Sequence, residues 1–388
     1  MTDSVAYSQR APASLWVQVL LVLALEMRIY NGFFTFLQND ILLNVVPGVL
    51  LVATAWEVRK SIVWQDFFIG CVLLYCVAYY RFISYAHFSS TFGALPLVMT
   101  AFSVGLLFRY TRISSPTFWI YLFLAFIPFA YTILILKVEV YGDFMYMNSN
   151  SIPRLLIFAT MLQVINESLE QKRYIVIVPS IVTVFFSFLS ESRAGLLISL
   201  LLLGLVGLYN SINWYLGSQR RREFFHRYRW VFWGGITIIG IIIIMILQVL
   251  FRRSRFAEVG FVSVERVQLY TDFLSEINLE RFLLGHRPTI GEVNLHNSFL
   301  TLFSYYGIVS FWFNGMIIVA IFRLAKTSKF QAGLLVIWCL YSLPESHAPF
   351  SVGLFVLLPL LMLAYPPKRW NTTIFPLQIR RKSEIQAS

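Results

Sequence analysis

The sequence predicts an all-α fold: a polytopic membrane helical bundle of about twelve spans, both termini cytoplasmic, with one long outward loop that contains an amphipathic helix. Three observations carry this expectation. Of 388 residues, 58% are hydrophobic and 13% charged, where soluble domains use roughly 25% charged residues. Mean hydropathy is +0.70, and apolar runs separated by short polar stretches recur along the whole length with no soluble-looking block of domain size. The third observation is the way charge divides between alternate polar stretches, set out below. The chain is therefore read as a single integral membrane domain, 1–388, and a water-soluble fold is excluded.

In chain order the runs fall at 15–37, 41–56, 67–80, 92–108, 118–136, 155–165, 174–189, 194–215, 230–251, 298–322, 330–343 and 350–365. Several are shorter than the roughly 20 residues a crossing helix needs, so their ends must extend into polar flanks or the helices are broken. Residues 1–12 lack the basic start and cleavage site of a secretory signal, so the first run is expected to stay as a span. Cys71, Cys76 and Cys339 lie in apolar runs and offer no disulfide framework or zinc spacing.

With the N-terminus inside, the inner segments hold Arg10, Arg59, Lys60, Arg109, Arg112, Lys172, Arg173, Arg220, Arg221, Arg222, Arg227, Arg229, Arg323, Lys326, Lys329, Lys368, Arg369, Arg380, Arg381 and Lys382, twenty of the 31 basic residues. Only seven of the 19 acidic residues join them. The net charge of +12 thus reads as a positive-inside signal. The basic run 219–230 suits anionic lipid better than nucleic acid, and no nucleic-acid partner is expected.

This orientation leaves one long outward loop, 252–297, between spans nine and ten, longer than an ordinary connection. Within it 263–277 reads as an amphipathic helix with Ser263 a plausible N-cap. At about 100° per residue, Val267, Leu269, Tyr270, Phe273, Leu274 and Ile277 share a stripe with Arg266, opposite Glu265, Gln268, Thr271, Asp272, Ser275 and Glu276. A guanidinium on an apolar stripe is costly without an anionic partner. The bland alternative is an arginine that covers the stripe's edge or pairs with a structural carboxylate.

Arg193, in the segment 190–195, stands before a long apolar helix that starts on the outer side. Arg154, after Pro153, and His296, before Asn297 and Ser298, stand the same way. Each helix would present its free N–H groups and partial positive charge beside a cationic or protonatable group, a setting that suits a pyrophosphate. The alternative is that flanking arginines serve as interfacial anchors. Of the five histidines, His87, His286, His296 and His347 fall outside and His226 inside, none with metal spacing, and no metal site is expected. Glu26 and Arg28, inside the first run, need partners on other helices.

Ser192-Arg193-Ala194-Gly195 opening a Leu-rich span, the loop helix with Arg266, the Leu284-Gly285 pair and His296-Asn297-Ser298-Phe299-Leu300 with Gly307 beyond together resemble the bacterial O-antigen polymerase and O-antigen ligase family. The resemblance is most specific over residues 190–322. It implies an integral membrane glycosyltransferase that takes a glycan from an undecaprenyl-pyrophosphate carrier on the periplasmic face of the inner membrane, without metal or other cofactor. It also implies catalytic roles for Arg193, Arg266 and His296, and Arg154, Arg281, Arg287 and Asn297 are candidate substrate-binding residues on the same side. The lipid-linked glycan and the bilayer are the expected partners, and a chain-length regulator protein is a further partner of polymerases. The spacings Arg193 to Gly204 and Arg281 to Gly291, with 36 Phe residues, favour a polymerase; a ligase that transfers the glycan to lipid A core is the alternative. A lipid-linked oligosaccharide flippase is the rival from another class, since twelve spans is a common transporter plan, though no repeat relates the two halves.

Overall fold

The computed structural model describes residues 10–30, 40–84, 88–135, 150–190, 192–219, 223, 227, 264–285, 295, 297–345 and 351–366. The expected span 230–251, Ser263, Arg287 and His296 lie outside the described residues, as do the side chains of Arg28 and Arg266. The described residues are helical throughout, without a strand. In chain order they form α1 Leu15–Tyr30, α2 Asp40–Val58, α3 Trp64–Ser84, α4 Phe88–Tyr110, α5 Ser115–Ala130, α6 Ser151–Leu169, α7 Val178–Leu189, α8 Arg193–Leu216, α9 Val264–Ser275, α10 Leu279–Leu284, α11 Ser298–Tyr306, α12 Val309–Thr327, α13 Lys329–Ser342 and α14 Leu354–Ala364.

Three of these are long and apolar enough to cross a membrane: α5 with its continuation to Ile135, α8 and α12. The 24 residues of α8 extend about 36 Å, more than the roughly 30 Å hydrocarbon core. Shorter apolar stretches lie in α1, α2, α3, α4, α7 and α14. The surface of the bundle is apolar over wide stretches, and polar side chains are buried inside it. Val52, Phe123 and Phe322 are 71%, 68% and 66% exposed, whereas Thr160, Gln163, Asn166 and Glu167 are fully buried. Such a surface is costly in water and at home in lipid, where polar groups must find partners inside the protein. The fold is compatible with a membrane protein on these grounds.

α6 runs through the interior: from Ser151 to Glu167 every residue but Arg154 is buried. α4 packs against α2 and α14, and at Gly105 there is no room for a side chain because the Met362 sulfur already fills it. Four prolines sit inside helices, at positions 47, 96, 128 and 359, as membrane helices tolerate. After Pro128 the helix widens into a π-helical turn, Tyr131–Ile135, and Thr132 Oγ1 donates to the Pro128 carbonyl at 2.7 Å.

The described ends that the charge pattern assigns to the inner side are pinned by polar bonds. Ser14 donates through its amide and hydroxyl to Glu57 at 3.0 and 2.8 Å. Arg109 pairs with the buried Asp66 and donates to the carbonyls of Met362 and Tyr365, closing the C-terminal end of α14. Lys172 bonds Glu167 at 3.1 Å and Ser115 at 2.7 Å. Burial opposes its charge, but Glu167 and Glu170 outweigh burial and hold its pKa above the ordinary lysine value.

Three expectations need correction. The span expected at 298–322 is two helices, α11 and α12, parted at Gly307. There φ is +51°, and a Cβ would lie 2.6 Å from the Gly285 nitrogen; Gly285, at φ +80°, faces the Tyr305 carbonyl equally closely. Two backbones meet where neither can carry a side chain. The loop helix expected over 263–277 stops at Ser275, and Asn278 caps a second helix, α10, by accepting from the Arg281 amide at 2.8 Å. Leu274, expected on the buried stripe, is exposed, while Phe273 is buried. Finally, α6 is longer than the 155–165 expected, so Arg154 lies in its first turn rather than before it.

Candidate functional site

The starts of α6 and α8 abut at the end of the bundle opposite the Arg109 lock, and the start of α11 is tied to the end of α13. Ser192 caps α8, its hydroxyl accepting from the Gly195 amide at 3.2 Å. Gly195 then lets that first turn press on Pro153 of α6, whose ring would lie 2.5 Å from an added Cβ. Arg193 and Arg154 thus open two abutting helices. Ser190 and Ser192 in the turn between α7 and α8 are buried, so this junction is packed rather than loose.

The Arg154 guanidinium donates from Nη2 to Ser151 Oγ at 2.9 Å, and its Nε is buried with no acceptor. On α13, Tyr341 packs its ring against Phe158 at 5.8 Å, one turn along α6 from Arg154. The Tyr341 phenol lies within electrostatic range of both Arg154 and Glu345. Glu345 is buried, and its carbonyl accepts from Ser298 Oγ at 2.8 Å, which ties the start of α11 to the end of α13. Asn297 caps α11, its carboxamide oxygen accepting from the amides of Phe299 and Leu300 at 2.9 and 3.0 Å. That oxygen is already engaged in the cap, leaving the carboxamide nitrogen for any other contact.

The loop helices dock on the same region through rings. Phe273 of α9 meets Phe303 of α11 edge-on at 6.3 Å, and Phe282 of α10 lies 6.0 Å from Phe303 and 6.4 Å from Phe311 of α12. Tyr79 donates to the Leu284 carbonyl at 2.6 Å and stacks on Tyr306 at 5.8 Å. Position 266 lies in the first turn of α9. Arg281 points elsewhere: it bonds Glu276 at 2.9 Å within its own turn.

Among the predicted residues, Arg154 and Arg193 therefore stand on helix starts that abut, Asn297 caps α11, and Arg281 is held in a local clasp. Sequence reasoning missed Glu345 and Tyr341. The one available signal was a lone carboxylate between Pro344 and Ser346 at the end of an apolar run. Among the described residues no group of three histidine, cysteine or carboxylate side chains could hold a metal ion. Two arginines on abutting helix starts are a candidate setting for an anion, and planar arginine forks match phosphate oxygens. A scan against protein-family models finds no match, and a search of curated proteins finds no similar one.

Proposed function

We propose that the protein is a membrane glycosyltransferase of surface polysaccharide biosynthesis, polymerising repeat units carried on undecaprenyl pyrophosphate at the periplasmic face. In this reading the bundle has about twelve spans with both termini cytoplasmic, as the positive-inside pattern requires. The observation that carries the reading is the abutment of the Arg154 and Arg193 helix starts, beside the capped start of α11 that follows His296.

Arg193 and Arg154 hold the pyrophosphate, and Arg266, delivered by α9, joins them. As the bond between the anomeric carbon and the phosphate oxygen breaks, these cations stabilise the charge gathering on the leaving group. His296 orients the acceptor hydroxyl and takes its proton as the new glycosidic bond forms. Arginine stays charged throughout, so the donor site keeps its affinity across physiological pH.

The test is elongation of a lipid-linked repeat unit by purified protein in lipid nanodiscs, with chelator present and no ion gradient. Elongation is the expected result, and its absence with folded protein contradicts the reading. Lipid-linked glycan in a deletion strain separates polymerase from ligase: chains stopped at one repeat unit indicate the former, and long chains stranded on the carrier indicate the latter.

A further inference from the structure

We propose that α10, although it belongs to a stretch that the sequence assigns to an outward loop, lies in the bilayer, its leucines set against the acyl chains of the leaflet farther from the Arg109 end. The depth of α10 follows from two helices that share one reference point. The Tyr365 carbonyl accepts from Gln65 at the start of α3 at 3.1 Å, and the Arg323 guanidinium of α12 lies 4.4 Å from the centroid of the Tyr365 ring. Trp64 and Arg323 are exposed at this level, a tryptophan and a cation of the kind that mark the border of the hydrocarbon core.

Fourteen residues along α3 from Gln65 stands Tyr79, which donates to the Leu284 carbonyl at the end of α10 at 2.6 Å. Fourteen residues back along α12 from Arg323 stands Val309, just past Gly307, where the Leu283 and Gly285 backbones press. Each path rises about 21 Å, and helix tilt only lowers it. Tyr306 donates to the Cys76 carbonyl at 2.9 Å, which sets the end of α11 one turn of α3 below Tyr79. A hydrocarbon core of roughly 30 Å leaves the end of α10 about 9 Å inside the far border, the depth to which interfacial helices bury an apolar face.

The surface of α10 fits that depth. Leu279, Leu283 and Leu284 are exposed, the first by 75%. Phe282 lies 6.4 Å from Phe311, so the patch continues into the exposed Val309 and Trp312 at the start of α12, a helix long and apolar enough to cross a membrane. Apolar surface continuous with that of a spanning helix is at home against lipid. Irregular backbone at membrane depth must be enclosed by protein, and Gly285 and Gly307, where the two helix breaks meet, are both buried. The charges of α10 sit in its first turn, away from those glycines: Glu280, and Arg281 in its pair with Glu276. α9 differs, with Thr271, Asp272 and Ser275 exposed, a polar face suited to water at the bilayer surface.

Nitroxide labels at Leu279→Cys and Leu283→Cys test the inference, in the full chain with its native cysteines replaced by alanine and reconstituted in nanodiscs. Ile318→Cys on α12 is the lipid reference and Asp272→Cys on α9 the water reference; all four positions are exposed, so the substitutions spare the core. Power saturation should show positions 279 and 283 severalfold more accessible to oxygen than to a nickel chelate, as at 318, with the order reversed at 272. If 279 and 283 match 272, α10 lies in water and the inference falls. If both are shielded from oxygen and nickel alike, protein covers α10 and the inference falls, with spin–spin broadening identifying a second copy as the cover. The unaltered chain gives a second reading: phospholipid with a photoreactive group midway along its acyl chain should label residues 279–284 as well as α12, and labelling of α12 alone contradicts the inference.

Discussion

The two ends of this bundle treat charge in opposite ways. At the Arg109 end each buried charge is matched: Asp66 takes Arg109 and Tyr110, Glu57 takes Ser14, and Glu167 takes Lys172 and the Val176 amide. At the Arg154 end the guanidinium donates to a neutral group, the Ser151 hydroxyl, and the start of its helix abuts that of α8 where Pro153 meets Gly195. Ion pairs hold helices together, whereas a guanidinium held by a hydroxyl, as Arg154 is, keeps its charge for an anion from outside. On the proposed reading the first end is architecture and the second is the site of chemistry.

Substitutions should separate the two ends. The largest effect on activity is expected at Arg193→Ala, about 10³-fold in elongation rate with unchanged thermal stability, and a smaller one, about 10²-fold, at His296→Ala. Rates from equal amounts of folded protein check both. At the opposite end, Arg109→Ala leaves the buried Asp66 with hydrogen bonds from Tyr110 and the Val63 amide but no countercharge, and should destabilise by about 3 kcal/mol in a denaturation experiment in lipid or detergent. A comparison in which R193A unfolds the protein and R109A silences it while folded would reverse the assignment of the two ends.

Gly285→Ala tests the contact of α10 with the break between α11 and α12. Its positive φ and the Tyr305 backbone 2.6 Å away leave no room, and a loss of about 2 kcal/mol or more is expected, together with faster proteolysis of the loop helices as α10 leaves α11. The smallest effect belongs to Arg281→Ala. Its pair with Glu276 is half-exposed, so stability should fall by less than about 1 kcal/mol and elongation should be nearly unchanged.

Local pattern made part of this legible from sequence. Ser192 before a Leu-rich run announces the start of α8, and hydrophobic runs locate most helices to within a few residues. The break at Gly307 was hidden because it depends on Gly285, which approaches from a separate helix; a glycine within an apolar run carries no sign of such a partner. Glu345 was hidden for the same reason, since its burial rests on Ser298, 47 residues away. The grouping of Arg154 with Arg193 was legible only as a shared side, because Pro153 against Gly195 is a contact that periodicity cannot show.

The most direct test is to ask where the pyrophosphate group lies. An undecaprenyl-pyrophosphate-linked sugar carrying a photoreactive group beside the phosphates, incubated with the protein in nanodiscs and irradiated, should label peptides spanning 151–154, 192–195 and 297–298, and excess inorganic pyrophosphate should suppress the labelling. Labelling that falls instead around Arg109 and Tyr365, or that persists undiminished in Arg193→Ala, would contradict the account.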